Sequence, residues 1–150
     1  MEINGVAHTF ITASDFEASV AFYRQMLPFL GMSIVADTAD TFYGVGGRTG
    51  FGIRRPLPEH QGAKWEQFRV GIHHHCWRAR ERGDVDELHA FLVSIGAKIV
   101  HPPQDEPWAP GYYAVLFEDP DGIRLELNHV PGRGLFDTPT RRVGASLDGR

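Results

Sequence analysis

Apolar residues along the chain switch between two spacings, and the switches mark out elements. "NGVAHTFITA" (4–13) alternates loosely and is rich in β-branched and aromatic residues, which predicts a strand. From Ser14 the spacing becomes helical. Phe16, Val20, Phe22, Tyr23 and Met26 fall on one face, Ser14 and Glu17 have the spacing of a capping box, and Pro28 and Gly31 end the run. Three short strand-like runs follow, "MSIVAD" (32–37), "TFYGVG" (41–46) and "TGFGIRR" (49–55), with Gly46-Gly47 suited to a tight turn between the last two.

The same order then returns. "FRVGIHHHCWRA" (68–79) reads as a strand. "GDVDELHAFLVSIGA" (83–97) reads as a helix, with Asp84 and Glu87 in capping-box spacing and Gly96 at its C-terminal end. "AKIV" (97–100), "YYAVLFE" (112–118) and "IRLELNHV" (123–130) read as strands. His8 and His74, and Gly31 and Gly96, keep nearly the same separation, so the pattern is β-α-β-β-β twice, a duplication carried by element order more than by residue identity. Within residues 1–150, read as a single domain, the modules span 4–55 and 68–130, joined by a Pro- and Gly-punctuated linker at 56–67. "HPPQDEPWAPG" (101–111) is long enough for a flap, with Trp108 either its apolar underside or an anchor to the core. The stretch 131–150 has little periodicity and reads as an irregular tail, frayed or draped on the surface.

Composition narrows the function classes. Hydrophobic residues make up 42% and charged residues 23%, an ordinary globular balance, and the net charge of −4 without a basic stripe argues against nucleic acid. No apolar run approaches the ~18 residues of a membrane span, and the opening "MEINGVAHTF" lacks the basic and apolar regions of a secretion signal. One cysteine, Cys76, cannot build a disulfide framework within the chain, which points to the cytoplasm. Eight histidines supply possible ligands. Three of them are consecutive in "GIHHHCWRA" (71–79). In an extended chain His73 and His75 point to one face and His74 to the other, so only one face lines a site.

Three stretches together resemble the vicinal oxygen chelate superfamily, which includes glyoxalase I, extradiol ring-cleaving dioxygenases and bleomycin-resistance proteins. "VAHTFITASDFEASVAFYRQMLPFLGM" resembles the opening of its first module and "GIHHHCWRARERGDVDELHAFLVSIGA" that of its second. "YYAVLFEDPDGIRLEL" resembles its closing hairpin, where an aromatic-acid-Pro-Asp-Gly turn precedes a strand bearing a glutamate. The resemblance covers roughly residues 4–130. It implies an α+β fold of two tandem βαβββ modules, curved mixed sheets forming half-barrels around a metal site. It also implies His8, His74 and Glu126 as metal ligands, with His75 in an apolar slot and His73 and His75 facing the helix layer or a partner chain. Two imidazoles and a carboxylate suit Fe²⁺, Mn²⁺, Zn²⁺ or Ni²⁺ and leave adjacent positions for a substrate that chelates through two neighbouring oxygens. Taken one at a time, His8 reads as a core or edge histidine and Glu126, alternating with Leu125 and Leu127, as a residue facing water; it is their joint match to one family pattern that gives the metal reading.

The chain departs from glyoxalase I at a fourth ligand. The carboxylate of the first module's last strand would fall near Phe51, Gly52 or Ile53, none of which can ligate through a side chain. Three ligands sit closer to an extradiol-type triad, although dioxygenases of this superfamily are commonly larger. Tyr112 and Tyr113 stand where such enzymes place an acid-base tyrosine, and apolar packing with the hydroxyl at the surface is the alternative for either. Arg78 shares strand parity with His74 and Cys76 and is placed either to meet an anionic substrate or to sit at a rim in water. The expected function is a metal-dependent dioxygenase, lyase or isomerase acting on a small molecule, in a homodimer. A non-catalytic protein that sequesters a small molecule is the alternative.

Overall fold

The computed structural model describes residues 1 and 3–132, so most of the irregular tail expected at 131–150 lies outside the described residues. The first half contains β1 (His8–Thr12), α1 (Phe16–Phe29), β2 (Ser33–Asp37), β3 (Thr41–Gly46) and β4 (Thr49–Arg54). The second contains β5 (His75–Arg78), α2 (Arg82–Ser94), β6 (Lys98–Asp105), β7 (Tyr113–Glu118) and β8 (Arg124–His129). Each half forms an open four-stranded sheet, ordered β1-β4-β3-β2 and β5-β8-β7-β6. The first and last strands of each half pair in parallel and the other neighbours antiparallel. A parallel pair needs a crossover, which the helix and the two intervening strands provide. The shared order bears out the α+β reading of two βαβββ repeats.

Alternation along the strands sets which residues go inside. Ile11, Phe51 and Ile53 are buried with Phe16, Val20, Tyr23, Met26 and Leu27 of α1; Leu125, Leu127, Val115 and Phe117 are buried with Val85, Leu88 and Leu92 of α2. These residues belong to one continuous core. Each large side chain fully buried contributes about 1.5–3 kcal/mol before entropy is counted. The halves meet through this side of their sheets. The Phe51 ring lies 4.8 Å from His75 and 4.9 Å from Trp77, and Phe29 of α1 stacks on Phe91 of α2 at 4.1 Å. The "DPDG" turn fastens the second half to the first. The buried Tyr23 hydroxyl donates to Asp119 Oδ2 at 2.8 Å, Ser14 Oγ donates to Asp121 Oδ1 at 2.9 Å, and the Ser14 amide donates to the same Asp121 carboxylate.

Several boundaries differ from those read from sequence. The strand expected over 68–79 is confined to β5, because pairing with β8 starts at His75 opposite Leu125 and Gly71 has φ +146°. His74 therefore stands just before the strand. The strand expected over 4–13 starts only at His8, after Gly5 with φ +96°. Ser14 does not cap α1, since Asp121 takes its hydroxyl; Asp15 is the N-cap and accepts from the Ala18 amide at 3.0 Å, while Glu17 pairs with Arg55 at 2.6 Å. The capping box of α2 is Glu81 with Asp84. The tight turn is Gly47-Arg48, both at positive φ (56° and 66°), which a type I′ hairpin turn requires. β6 continues to Asp105, so the irregular stretch before β7 is shorter than the expected flap.

Candidate metal centre

Glu126 lies in the middle of β8, opposite Cys76 of β5 and Leu116 of β7 in register. Alternation turns it away from Leu125 and Leu127, which belong to the core. Its Oε2 lies 3.6 Å from His74 Nε2, with the Glu126 side chain 13% exposed and that of His74 39%. Two donors about 2.1 Å from one ion stand about 3.0–3.4 Å apart, so this pair has nearly the spacing of neighbouring ligands and is open on one side. The other oxygen of Glu126, Oε1, accepts from the Tyr112 hydroxyl at 2.5 Å, and that hydroxyl accepts from Asn128 Nδ2 at 2.7 Å. Asn128 is buried two residues along β8 on the same face, and its Oδ1 has no partner among the described residues. The signal that would have singled out Asn128 in the sequence is its i+2 parity with Glu126.

Electrostatics keep both neighbours of the carboxylate protonated. Burial, followed by the hydrogen bond to Glu126, raises the Tyr112 phenol well above its ordinary value. Burial, then the Glu126 charge, does the same to the Cys76 thiol. Cys76 is thus a poor nucleophile, and its Sγ donates to the Trp77 carbonyl at 3.3 Å. His75 packs on the Phe51 and Trp77 rings, and burial lowers its pKa to about 4, so it stays neutral. His73 lies at the surface with its Nδ1 2.8 Å from His74 Nδ1.

The two tyrosines diverge. The Tyr113 hydroxyl donates to Asp86 Oδ1 of α2 at 2.7 Å, and the Arg82 guanidinium covers its ring at 3.5 Å. Arg78 is exposed at the end of β5, opposite Asn128 in register. It borders a cavity of about 920 Å³ between the halves, lined also by Thr9, Met32, Trp77 and Leu88, which neither His74 nor Glu126 lines.

His8 lies apart from this cluster. It opens β1 on the other sheet, exposed, with its ring edge-on to Phe10 at 5.6 Å and to Tyr43 at 6.5 Å. No group of three or more His, Cys, Asp or Glu placed to hold a metal occurs among the described residues. Around His8 the first half carries rings where the second carries polar groups. Phe10 pairs with Gly52 as Cys76 pairs with Glu126, so Gly52 is the counterpart of Glu126. The Phe10 and Tyr43 rings stack at 5.1 Å. A Cβ added at Gly52 would lie 2.1 Å from the Phe10 ring, and one at Gly50 2.1 Å from the Tyr43 hydroxyl oxygen. The two glycines are the floor on which the aromatic pair rests.

Comparison with known proteins gives a consistent picture. Residues 5–127 match the model of the Glyoxalase/Bleomycin resistance protein/Dioxygenase superfamily. The chain is 30% identical over 129 residues to the uncharacterized protein YqjT of Bacillus subtilis (strain 168), covering 80% of this chain and 94% of that protein. Its fold is similar to that of a candidate glyoxalase from Bacillus halodurans, with a TM-score of 0.73 and 27% identity over 84% of this chain and 96% of the other. It is also similar in fold to lactoylglutathione lyase from Agrobacterium tumefaciens, with a TM-score of 0.64 and 21% identity over 86% and 96%. Two βαβββ repeats with this topology, matched along most of their length, show that the chain belongs to the Glyoxalase/Bleomycin resistance protein/Dioxygenase superfamily.

Proposed function

We propose that the protein is a metal-dependent enzyme acting on a small substrate that chelates through vicinal oxygens, and that each centre is shared between two chains. His74 and Glu126 of one chain and His8 of a second copy hold a divalent cation, from the set Fe²⁺, Mn²⁺, Zn²⁺ or Ni²⁺. The observation that carries this reading is the His74–Glu126 pair, 3.6 Å apart and open outward. A second observation supports the sharing. The halves of one chain pack through the sides of their sheets opposite His8 and opposite Glu126, so the two outward faces are free to meet those of a second copy.

When bound, the cation supplies Lewis acidity at the substrate oxygens. The chain's own groups do the rest. Tyr112, whose hydroxyl Asn128 Nδ2 holds in place, donates to Glu126 Oε1 and so aims Oε2 outward. The Tyr112 hydroxyl, hydrogen-bonded to Glu126 Oε1, is the acid–base group beside the centre. Phe10 and Tyr43 supply an apolar wall beside His8. This inventory serves lyase or isomerase chemistry and extradiol ring cleavage alike, and a requirement for O₂ separates them. The lack of a carboxylate at Gly52 sets the centre apart from a four-ligand glyoxalase I site. The stacked pair of exposed Phe10 and half-buried Tyr43 favours one second reading, a cup that sequesters a flat or apolar molecule without catalysis. No helix among the described residues is long and apolar enough to cross a membrane; with its lone cysteine we place the protein's work in the cytoplasm.

Metal analysis of the protein purified without added metal tests the reading. Wild type should carry a divalent ion, and folded His74→Ala and Glu126→Gln proteins should lose it. Normal metal content in both folded variants contradicts the assignment.

A further inference from the structure

We propose that His73 is the positioning residue that fixes the tautomer of His74 and so turns a lone pair toward the metal. This rests on the metal-centre reading above. His73 Nδ1 lies 2.8 Å from His74 Nδ1 and 3.4 Å from Gln67 Nε2. The 2.8 Å contact needs one proton between the two Nδ1 atoms, and because the Gln67 amide nitrogen beside His73 Nδ1 only donates, His73 Nδ1 is the acceptor of that short bond. The proton between the two rings then belongs to His74 Nδ1. A neutral imidazole with its proton on Nδ1 has its lone pair on Nε2, the nitrogen that faces Glu126 Oε2.

The backbone makes this contact possible. In a strand, adjacent side chains point to opposite faces and the two rings would not meet. The chain enters β5 only at His75, after Gly71 at φ +146°, and the irregular approach brings the rings to 5.1 Å at an interplanar angle of 77°. The Phe68 ring packs edge-on against His73 at 5.4 Å, so the segment before the triple histidine also touches His73. The consecutive histidines thus divide the work. His75 packs inward, His74 offers the ligand, and His73 sets which of its nitrogens is free.

The experiment uses the full ¹⁵N-labelled chain, first without metal and then titrated with Zn²⁺ alone. Long-range ¹H–¹⁵N spectra of the metal-free wild type should show His74 protonated on Nδ1. His73→Leu should lose that preference and bind Zn²⁺ about 10- to 100-fold more weakly by calorimetry, the usual effect of removing a partner of a ligating histidine. His73→Asn, whose side-chain oxygen can accept from His74 Nδ1, should recover most of the affinity. A wild-type His74 protonated on Nε2 overturns the proposal, as does a leucine variant that binds Zn²⁺ like wild type; in the latter case the metal centre itself stands. A wild type that binds no Zn²⁺ removes both. Should the leucine variant fail to fold, the wild-type spectrum decides alone.

Discussion

Replacing Tyr112 with Phe removes one hydroxyl and strands two groups, because Glu126 Oε1 loses its donor and Asn128 Nδ2 its acceptor. The cost should be about 1–3 kcal/mol of stability in urea unfolding, with metal affinity falling as Glu126 is freed to rotate. An unchanged midpoint together with unchanged metal affinity would count against the role given to Tyr112. Asp119 supplies a second residue-scale prediction. Its carboxylate accepts from buried Tyr23 and from the amides of Asp121 and Ile123, yet burial dominates and raises its pKa to about 6. A carboxyl whose folded pKa lies above its unfolded value contributes most stability when protonated, below about 4. That contribution is lost as pH rises through about 6. Asp119→Asn keeps an acceptor for both amides and cannot ionise. It should gain about 1–3 kcal/mol on wild type between pH 4 and pH 7 in paired denaturation curves, and a pH-independent difference would refute the assignment.

At the scale of elements, the asymmetry between the halves is the informative feature. The first and last strands of each half pair with equivalent register, but the place of Glu126 is taken by Gly52 and the place of Cys76 by Phe10. Gly52→Ala puts a methyl into the Phe10 ring, which must swing away from Tyr43. The expected cost is about 1–3 kcal/mol, and the double variant with Phe10→Ala should cost less than the two single changes added together. Additive losses in a double-mutant cycle would mean that ring and glycine are independent. The strands and helices were legible in the sequence because their apolar spacings follow the faces that enter the core. The ligand candidates came only from the resemblance to a family pattern, because Glu126 by itself continues the alternation of Leu125 and Leu127 and reads as a residue facing water. What sequence could not supply were side-chain meetings between distant elements. Ser14 has the spacing of a cap, yet Asp121, distant in sequence, claims it. Of two adjacent tyrosines, only three-dimensional register sends Tyr112 to Glu126 and Tyr113 to Asp86. The contact between His73 and His74 was hidden for the same reason, since a regular strand would forbid it.

At the scale of the molecule, one core serves both sheets, and its position has a consequence for function. Because the halves share their inner faces, His8 and the His74–Glu126 pair are carried on outward faces that do not come together within one chain. A two-fold dimer would repair this twice over, giving two equivalent centres, each drawing His8 from one subunit and His74 and Glu126 from the other. Subunit mixing tests that claim most directly. His8→Ala and Glu126→Gln proteins, each unable to hold the ion alone, are co-refolded in equal amounts and their metal content measured. A mixed dimer contains one centre with both defects and one with none, so random pairing should restore about a quarter of the wild-type metal. A mixture as empty of metal as either variant alone would contradict the shared centre.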